Sequence, residues 1–318
     1  MVNVIFTGVY RYNTKITNLS LNERISRIKN NGVDNIYWCT WKGHTVKEVE
    51  NAGVKIIEIE EPYPHVRGVS GRQRQIYNIK QALQFFNPDD IILKLRWDLD
   101  FTENLITNLS SPDFLDKVEN GVVKNKIWTG FYSIQELFSP ADKTFAGYQK
   151  DLNKIINFQF KINNESSDKY ISHDGMMLMP YFVNLNKSIC SLIRKSEPEP
   201  YGLFYNKHHN EIEKFLEAWA FSYYLLDKYF KTGPLGTCFF KRGDLDRWPM
   251  SIVDYNKFQY NYDTMTGKAP KLGIYPRYRV YDDIFVQKLV NGEFRDHFAQ
   301  SLHSIITEKK KVWQEMGV

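Results

Sequence analysis

Four short apolar runs separated by helix-period stretches constrain this chain more than any other feature. Val2–Thr7 is closed by Gly8, Asn35–Trp41 is the second run, 54–59 is the third and ends at Pro62, and Ile91–Leu95 is broken only by Lys94. Between them, Asn22 is placed to cap a helix carrying Ile25 and Ile28, and 72–86 puts Ile76, Ile79, Leu83 and Phe86 on one helical face. Strands alternating with helices in this way predict a parallel sheet with helices on its faces.

The fourth run delivers Arg96, Asp98 and Asp100 at its carboxyl end. In open α/β sheets that edge is where ligands bind. Two carboxylates two residues apart can meet one hard divalent cation, Mg²⁺ or Mn²⁺, together with the phosphates of a substrate. Short Asp-x-Asp sequences are also plain turn chemistry. Asp98-x-Asp100-x-Thr102 further fits the nucleophile motif of haloacid-dehalogenase-type phosphatases, which usually carry it on the first strand rather than after three others. A second copy, Asp244-Leu245-Asp246, lies between Arg242 and Arg247 without a preceding strand and reads as a salt-linked loop.

Other residues fall at the same edge. Thr7, Gly8 and Arg11 follow the first strand, where Gly8 permits close backbone approach and Arg11 can contact a phosphate. Thr40, Trp41 and Lys42 end the second strand, and Trp41 reads either as a stacking surface for a base or as a core tryptophan. Arg72 and Arg74 open a helix, where the macrodipole disfavours cations unless an anion lies at that end. Lys94 and Arg96 share a strand face and need anionic partners.

The remaining 111–318 is less regular. A strand is expected over 126–132, a short helix at Leu152, Ile155 and Ile156, and a long one over 211–230. Met176, Met177 and Met179 read as core filler. A final amphipathic helix carries Phe294, Phe298, Leu302, Ile305 and Ile306, with Lys309, Lys310, Lys311 and Trp313 at its end. A carboxylate able to take a proton from an acceptor hydroxyl is sought among Asp174, Glu211, Glu213 and Glu217. Glu217 borders the apolar stripe of the long helix and ranks first, with Asp174 second. His173, His208 and His209 are candidates for a third metal ligand.

The chain has 318 residues, with 42% hydrophobic, 15% aromatic and a formal net charge of +5, which supports a large core and an anionic ligand or surface but is too small a charge to argue for nucleic acid. Cys39, Cys190 and Cys238 are too widely spaced for a zinc site or disulfide framework, so a reducing compartment is expected. No signal-type segment or membrane span is visible, so a cytoplasmic protein is expected, at most peripheral at the inner membrane through the three lysines. No repeat or linker divides 1–318, so one domain is expected, with the candidate ligand-binding half over 1–110 and the less regular half over 111–318.

The N-terminal third resembles the WavE family of lipopolysaccharide-synthesis glycosyltransferases. The matching pieces are Ile5-Phe6-Thr7-Gly8, Tyr37-Trp38-Cys39-Thr40-Trp41-Lys42-Gly43, Arg74-Gln75-Ile76 and Leu93-Lys94-Leu95-Arg96-x-Asp98-Leu99. Glu217 with Trp219 fits more loosely. The resemblance implies a GT-A-like, Rossmann-type, mostly parallel sheet with flanking helices and an irregular acceptor-side C-terminal half. It further implies a metal-dependent transferase using a nucleotide-sugar donor, with Gln75 among the donor-binding residues and Asp98 leading the metal pair. The acceptor would be a glycan or lipid-linked glycan of a bacterial lipopolysaccharide or capsule. A non-catalytic sugar-binding module using the aromatic loops over 248–281 is the remaining alternative.

Overall fold

The computed structural model describes residues 1–10, 12, 19–33, 35–62, 71–97, 100–101, 103–133, 137–138, 140, 144–156, 177–195, 212–233, 238–239, 279–280, 283–295 and 297–318. The first four runs form β1 (Val2–Thr7), β2 (Asn35–Trp41), β3 (Lys55–Ile59) and β4 (Ile91–Leu95). They are joined through helices α1 (Leu21–Asn30), α2 (Lys47–Asn51) and α3 (Gly71–Ala82), the last continued by a 3-10 turn at Leu83–Phe85. After β5 (Asp100–Phe101) and α4 (Glu103–Leu109) come β6 (Ile127–Thr129), β7 (Tyr132–Ser133) and β8 (Phe145–Tyr148). Helices α5 (Gln149–Ile156), α6 (Pro180–Leu185), α7 (Lys187–Lys195) and α8 (Ile212–Tyr229) follow, and α8 runs straight into β9 (Phe230–Lys231). The last described elements are β10 (Cys238–Phe239), β11 (Arg279–Val280), α9 (Ile284–Val290) and α10 (His297–Glu315).

Seven strands form one sheet in the order β3-β2-β1-β4-β8-β6-β9. β1 pairs in parallel with β2 and β4, and β2 with β3, while β8 runs antiparallel to both β4 and β6, and β9 is parallel to β6. Of these strands β8 alone is reversed, so the sheet is mostly parallel, with helices on both faces, as the alternation of strands and helices predicts. β5 pairs with β10, and β7 with β11, as separate short ribbons.

Alternation along the strands divides the core in two. Ile5, Cys39, Ile57 and Ile92 face the side covered by α3, α5, α6, α8, α9 and α10. Val4, Phe6, Trp38, Leu93 and Leu95 face the side covered by α1, α2 and α4. Both sides of the parallel strands are buried, which explains why their sequences read as nearly continuous apolar runs.

Several local expectations are corrected. The cap of α1 is Ser20 rather than Asn22: the Ser20 hydroxyl accepts from the Glu23 amide at 3.2 Å, and the Glu23 carboxylate accepts from the Ser20 amide at 2.6 Å. Ser-x-x-Glu satisfies two end groups reciprocally, which a lone asparagine cannot do. The strand expected over 126–132 divides at Gly130 into β6 and β7. The final helix starts after Phe294, at His297, and carries Lys309, Lys310, Lys311 and Trp313 in its last turns, as expected. Met177 and Met179 are buried core residues as expected. Asp244-Leu245-Asp246 lies outside the described residues.

Candidate functional site

Because β1 to β4 are parallel, Thr7, Trp41, Ile59 and Leu95 end at one edge of the sheet. The chain leaves β1 toward β2 on one side, whereas β4 lies on the other side of β1. The strand order therefore reverses at the β1/β4 gap, and in open α/β sheets that is the place at the carboxyl ends where ligands bind. Thr7-Gly8 leaves on one side of it and Arg96-Trp97 on the other.

At β1, Thr7 is buried opposite Cys39. Gly8 adopts φ +86°, a left-handed conformation that a side chain rarely takes. A Cβ there would meet nothing within 4 Å, so the turn itself, not close approach of the protein's own atoms, requires glycine. Its amide donates to the Cys39 carbonyl at 3.3 Å, and its carbonyl accepts from Trp38 Nε1 at 2.8 Å, tying the exits of β1 and β2 together. Thr40 is fully buried. Trp41 is only 6% exposed and stacks with Tyr77 of α3 at 6.4 Å. That corrects its reading as a base platform, since burial of its ring within the core leaves almost no face for a ligand.

The cations fall into two groups. Lys42 is exposed and its Nζ lies 2.9 Å from the Glu60 carboxylate, while Arg74 Nε lies 3.0 Å from Glu61. Both partners follow β3, whose acidic end therefore neutralises two groups expected to hold an anion. Lys94 and Arg96 differ. Lys94 is fully buried in the middle of the sheet, in register with Ile5, and its Nζ stands 5.6 Å from the Phe145 ring centroid. Arg96 follows β4 and is half-buried. Gln75 is half-buried on α3, and Arg72 belongs to the first turn of the same helix.

The exit of β4 is held from the opposite face. Trp97 is buried and lies flat on Phe6, with ring centroids 3.9 Å apart and planes 8° apart. Trp38 and Tyr10 meet Trp97 edge-on at 5.9 and 5.2 Å. Arg24 of α1, fully buried, donates from Nη1 to the Trp97 carbonyl at 2.7 Å and from Nη2 to the Arg96 carbonyl at 3.3 Å. The sequence reading missed Arg24. The signal was present: Arg24 occupies a core position of the stripe Leu21, Arg24, Ile25, Ile28. Beyond Trp97, the Asp100 backbone pairs with Phe239 of β10.

Asp98, Arg11, Asp174, His173, His208, His209 and Glu211 lie outside the described residues, as does the Asp100 side chain. Among the described residues no group of three or more His, Cys, Asp or Glu is arranged to hold a metal. Glu217 is half-buried on α8. The Ser222 hydroxyl, five residues further along α8, accepts from the Phe138 amide at 2.7 Å. The helix end is fixed elsewhere: Tyr229 Oη accepts from the Val122 amide, ahead of β6. Since Phe138 follows β6 and Val122 precedes it, Glu217 lies at the end of α8 nearer the carboxyl edge.

A second acidic centre was not legible in the sequence. Asp283 Oδ1 accepts from the Thr232 amide at 2.7 Å and from the Tyr132 hydroxyl at 3.2 Å. It thereby joins α9, the exit of β9 and β7. Burial pushes its carboxyl up to about 6, against the opposing pull of the Thr232 amide, Lys126, Tyr132 and Lys231.

No family model and no curated protein matches the chain. Among solved structures, it is similar to a glucosyl-3-phosphoglycerate synthase from Mycobacterium tuberculosis in complex with Mn²⁺, uridine diphosphate and glucosyl-3-phosphoglycerate: 15% identity, 47% of this chain, 57% of that one, TM-score 0.32. It is also similar to a nucleotidyl transferase from Methanothermobacter, at 14% identity, 50% and 77% coverage and TM-score 0.31. A CMP:2-keto-3-deoxy-manno-octonic acid synthetase complexed with CTP matches at 12% identity, 50% and 79% coverage and TM-score 0.30. The match spans less than two thirds of the synthase chain. Likenesses this distant carry no functional weight.

Proposed function

We propose that this protein is a metal-dependent glycosyltransferase, moving a sugar from a nucleotide-diphospho-sugar to a glycan or lipid-linked glycan acceptor of a bacterial surface polysaccharide. The observation that carries this reading is the position of the acidic motif: Asp98 and Asp100 follow the strand that borders the switch point. Asp98 and Asp100 would hold a divalent cation, whose charge would offset that developing on the leaving diphosphate. Arg96 and the backbone after Thr7, on either side of the β1/β4 gap, would receive the diphosphate. Lys42 and Arg74, paired with Glu60 and Glu61, shape that edge more than they charge it. Glu217 is the candidate base for the acceptor hydroxyl, supported by its place toward the same edge.

A dehalogenase-type phosphatase fits less well, because the first strand ends in Thr7-Gly8 without an acidic residue. Such an enzyme forms an aspartyl-phosphate on its first aspartate. Trapping of a phosphoryl analogue on Asp98 would decide for it.

A thermal-shift panel of nucleotides and nucleotide sugars, with and without Mn²⁺ or Mg²⁺, tests the transferase reading. A ligand at about 100 times its dissociation constant adds about 2.7 kcal/mol of stability. Asp98→Asn and Asp100→Asn are each expected to abolish the metal-dependent part of the shift and leave the unliganded midpoint near wild type. Undiminished metal-dependent binding in both variants sinks the proposal.

A further inference from the structure

A buried guanidinium is costly unless its donors are used. Arg24 is fully buried, with its guanidinium carbon 5.0 Å from the Phe6 ring centroid and 5.7 Å from that of Tyr12. Two of its donors end on consecutive carbonyls, those of Arg96 and Trp97, 72 and 73 residues further along the chain. The peptide bond is planar, so the Trp97 carbonyl and the Asp98 amide nitrogen belong to one rigid unit. A donor fixed on that carbonyl fixes the unit through which the chain leaves Trp97. The Trp97 ring, flat against Phe6, restrains the same unit from its other end. On the far side of Asp98, pairing with Phe239 holds the Asp100 backbone.

We infer that Arg24 is the positioning residue of the acidic motif, holding the β4 exit so that Asp98 and Asp100 meet one cation; this rests on reading those two carboxylates as cation ligands. Arginine is needed for its planar fork, which reaches both carbonyls at once. A lysine offers a point charge on a flexible stem and cannot span them in the same way. Arg24 also brings a positive charge to the β4 exit from the α1 side, while Lys94 and Arg96 belong to the opposite strand face. The cost of removing a group that orients metal ligands is typically about 10–100-fold in metal affinity.

Mn²⁺ alone is the probe, added to the full chain and followed by loss of the free-ion electron paramagnetic resonance signal. Arg24→Lys is expected to raise the Mn²⁺ concentration for half-saturation at least about tenfold. In hydrogen exchange, the same variant should speed exchange at 96–101 more than elsewhere. If wild type binds and Arg24→Lys binds equally well, Arg24 has no such role and the metal site stands. A wild type that takes up no Mn²⁺ sinks the metal site, and the inference with it. Should Arg24→Lys fail to fold, wild type alone decides. Coupling is reciprocal, so Mn²⁺ should slow amide exchange in α1, and unchanged exchange there overturns the inference.

Discussion

A carboxyl held near neutrality by burial makes stability depend on pH, and Asp283 is placed to show it. Its ordinary value of 3.8 rises to about 6 in the folded protein. Between those values the folded state keeps a proton that the unfolded state has lost. Stability therefore falls as pH rises through that window and levels off above it. With about 1.4 kcal/mol per unit, the penalty is on the order of 3 kcal/mol at most. Asp283→Asn keeps an acceptor oxygen for Thr232 and Tyr132 but removes the titration. Burial also raises Asp151 and Asp227, so the wild-type curve contains more than one contribution. The difference between wild type and Asp283→Asn isolates this one. Urea unfolding at pH 4, 5, 6 and 7 is expected to show the variant gaining on wild type as pH rises. A constant difference would mean that Asp283 does not titrate in this range.

At the scale of the element, α10 decides how its lysines are read. Trp313 is fully buried, with ring centroids 5.0 Å from Phe221 and 5.2 Å from Tyr224 of α8. It anchors helix to helix and is not presented to a bilayer. Trp313→Ala is expected to cost about 3–5 kcal/mol in chemical unfolding, the range for truncating a core aromatic. Lys310 and Lys311 remain exposed, and Lys309 is half-buried beside Glu308. Basic residues near an anionic surface contribute about 1 kcal/mol each and are screened by salt. Co-sedimentation with anionic vesicles is therefore expected at low salt only, and to be lost when Lys309, Lys310 and Lys311 are changed together to Ala. Sedimentation by that triple variant would place any membrane contact elsewhere. No described helix is long and apolar enough to cross a membrane.

At the scale of the whole molecule, both core clusters pack on opposite faces of one seven-stranded sheet. Unfolding either face exposes strands that the other face also needs. A single cooperative transition is therefore expected, with circular dichroism and tryptophan fluorescence giving the same midpoint. Two separated transitions would divide the chain near residue 110, into the two halves expected from the sequence. The same sheet places Asp283, Tyr132 and Thr232 toward the carboxyl edge of β1 to β4: β6 and β9 run in the direction of β4, so their exits reach that edge too.

The parallel half of the sheet is legible in hydrophobic periodicity alone. The β1 and β2 boundaries match their apolar runs, and β4 is Ile91–Leu95, because hydrophobic period and turn residues act over a few positions and are written locally. The sequence also put Thr7, Gly8 and Arg96 at one edge, since parallel strands joined in this order bring their carboxyl ends out together. Which cations that edge keeps depends on contacts between distant parts of the chain. Glu60 and Glu61 claim Lys42 and Arg74, Trp41 turns into the core beside Tyr77, and Arg24 reaches the carbonyls before Asp98. Each of these depends on which strand lies beside which and on which face a helix covers. Periodicity marks a face as apolar but does not name its partner, and a buried arginine within an apolar stripe gains meaning only from what lies across from it.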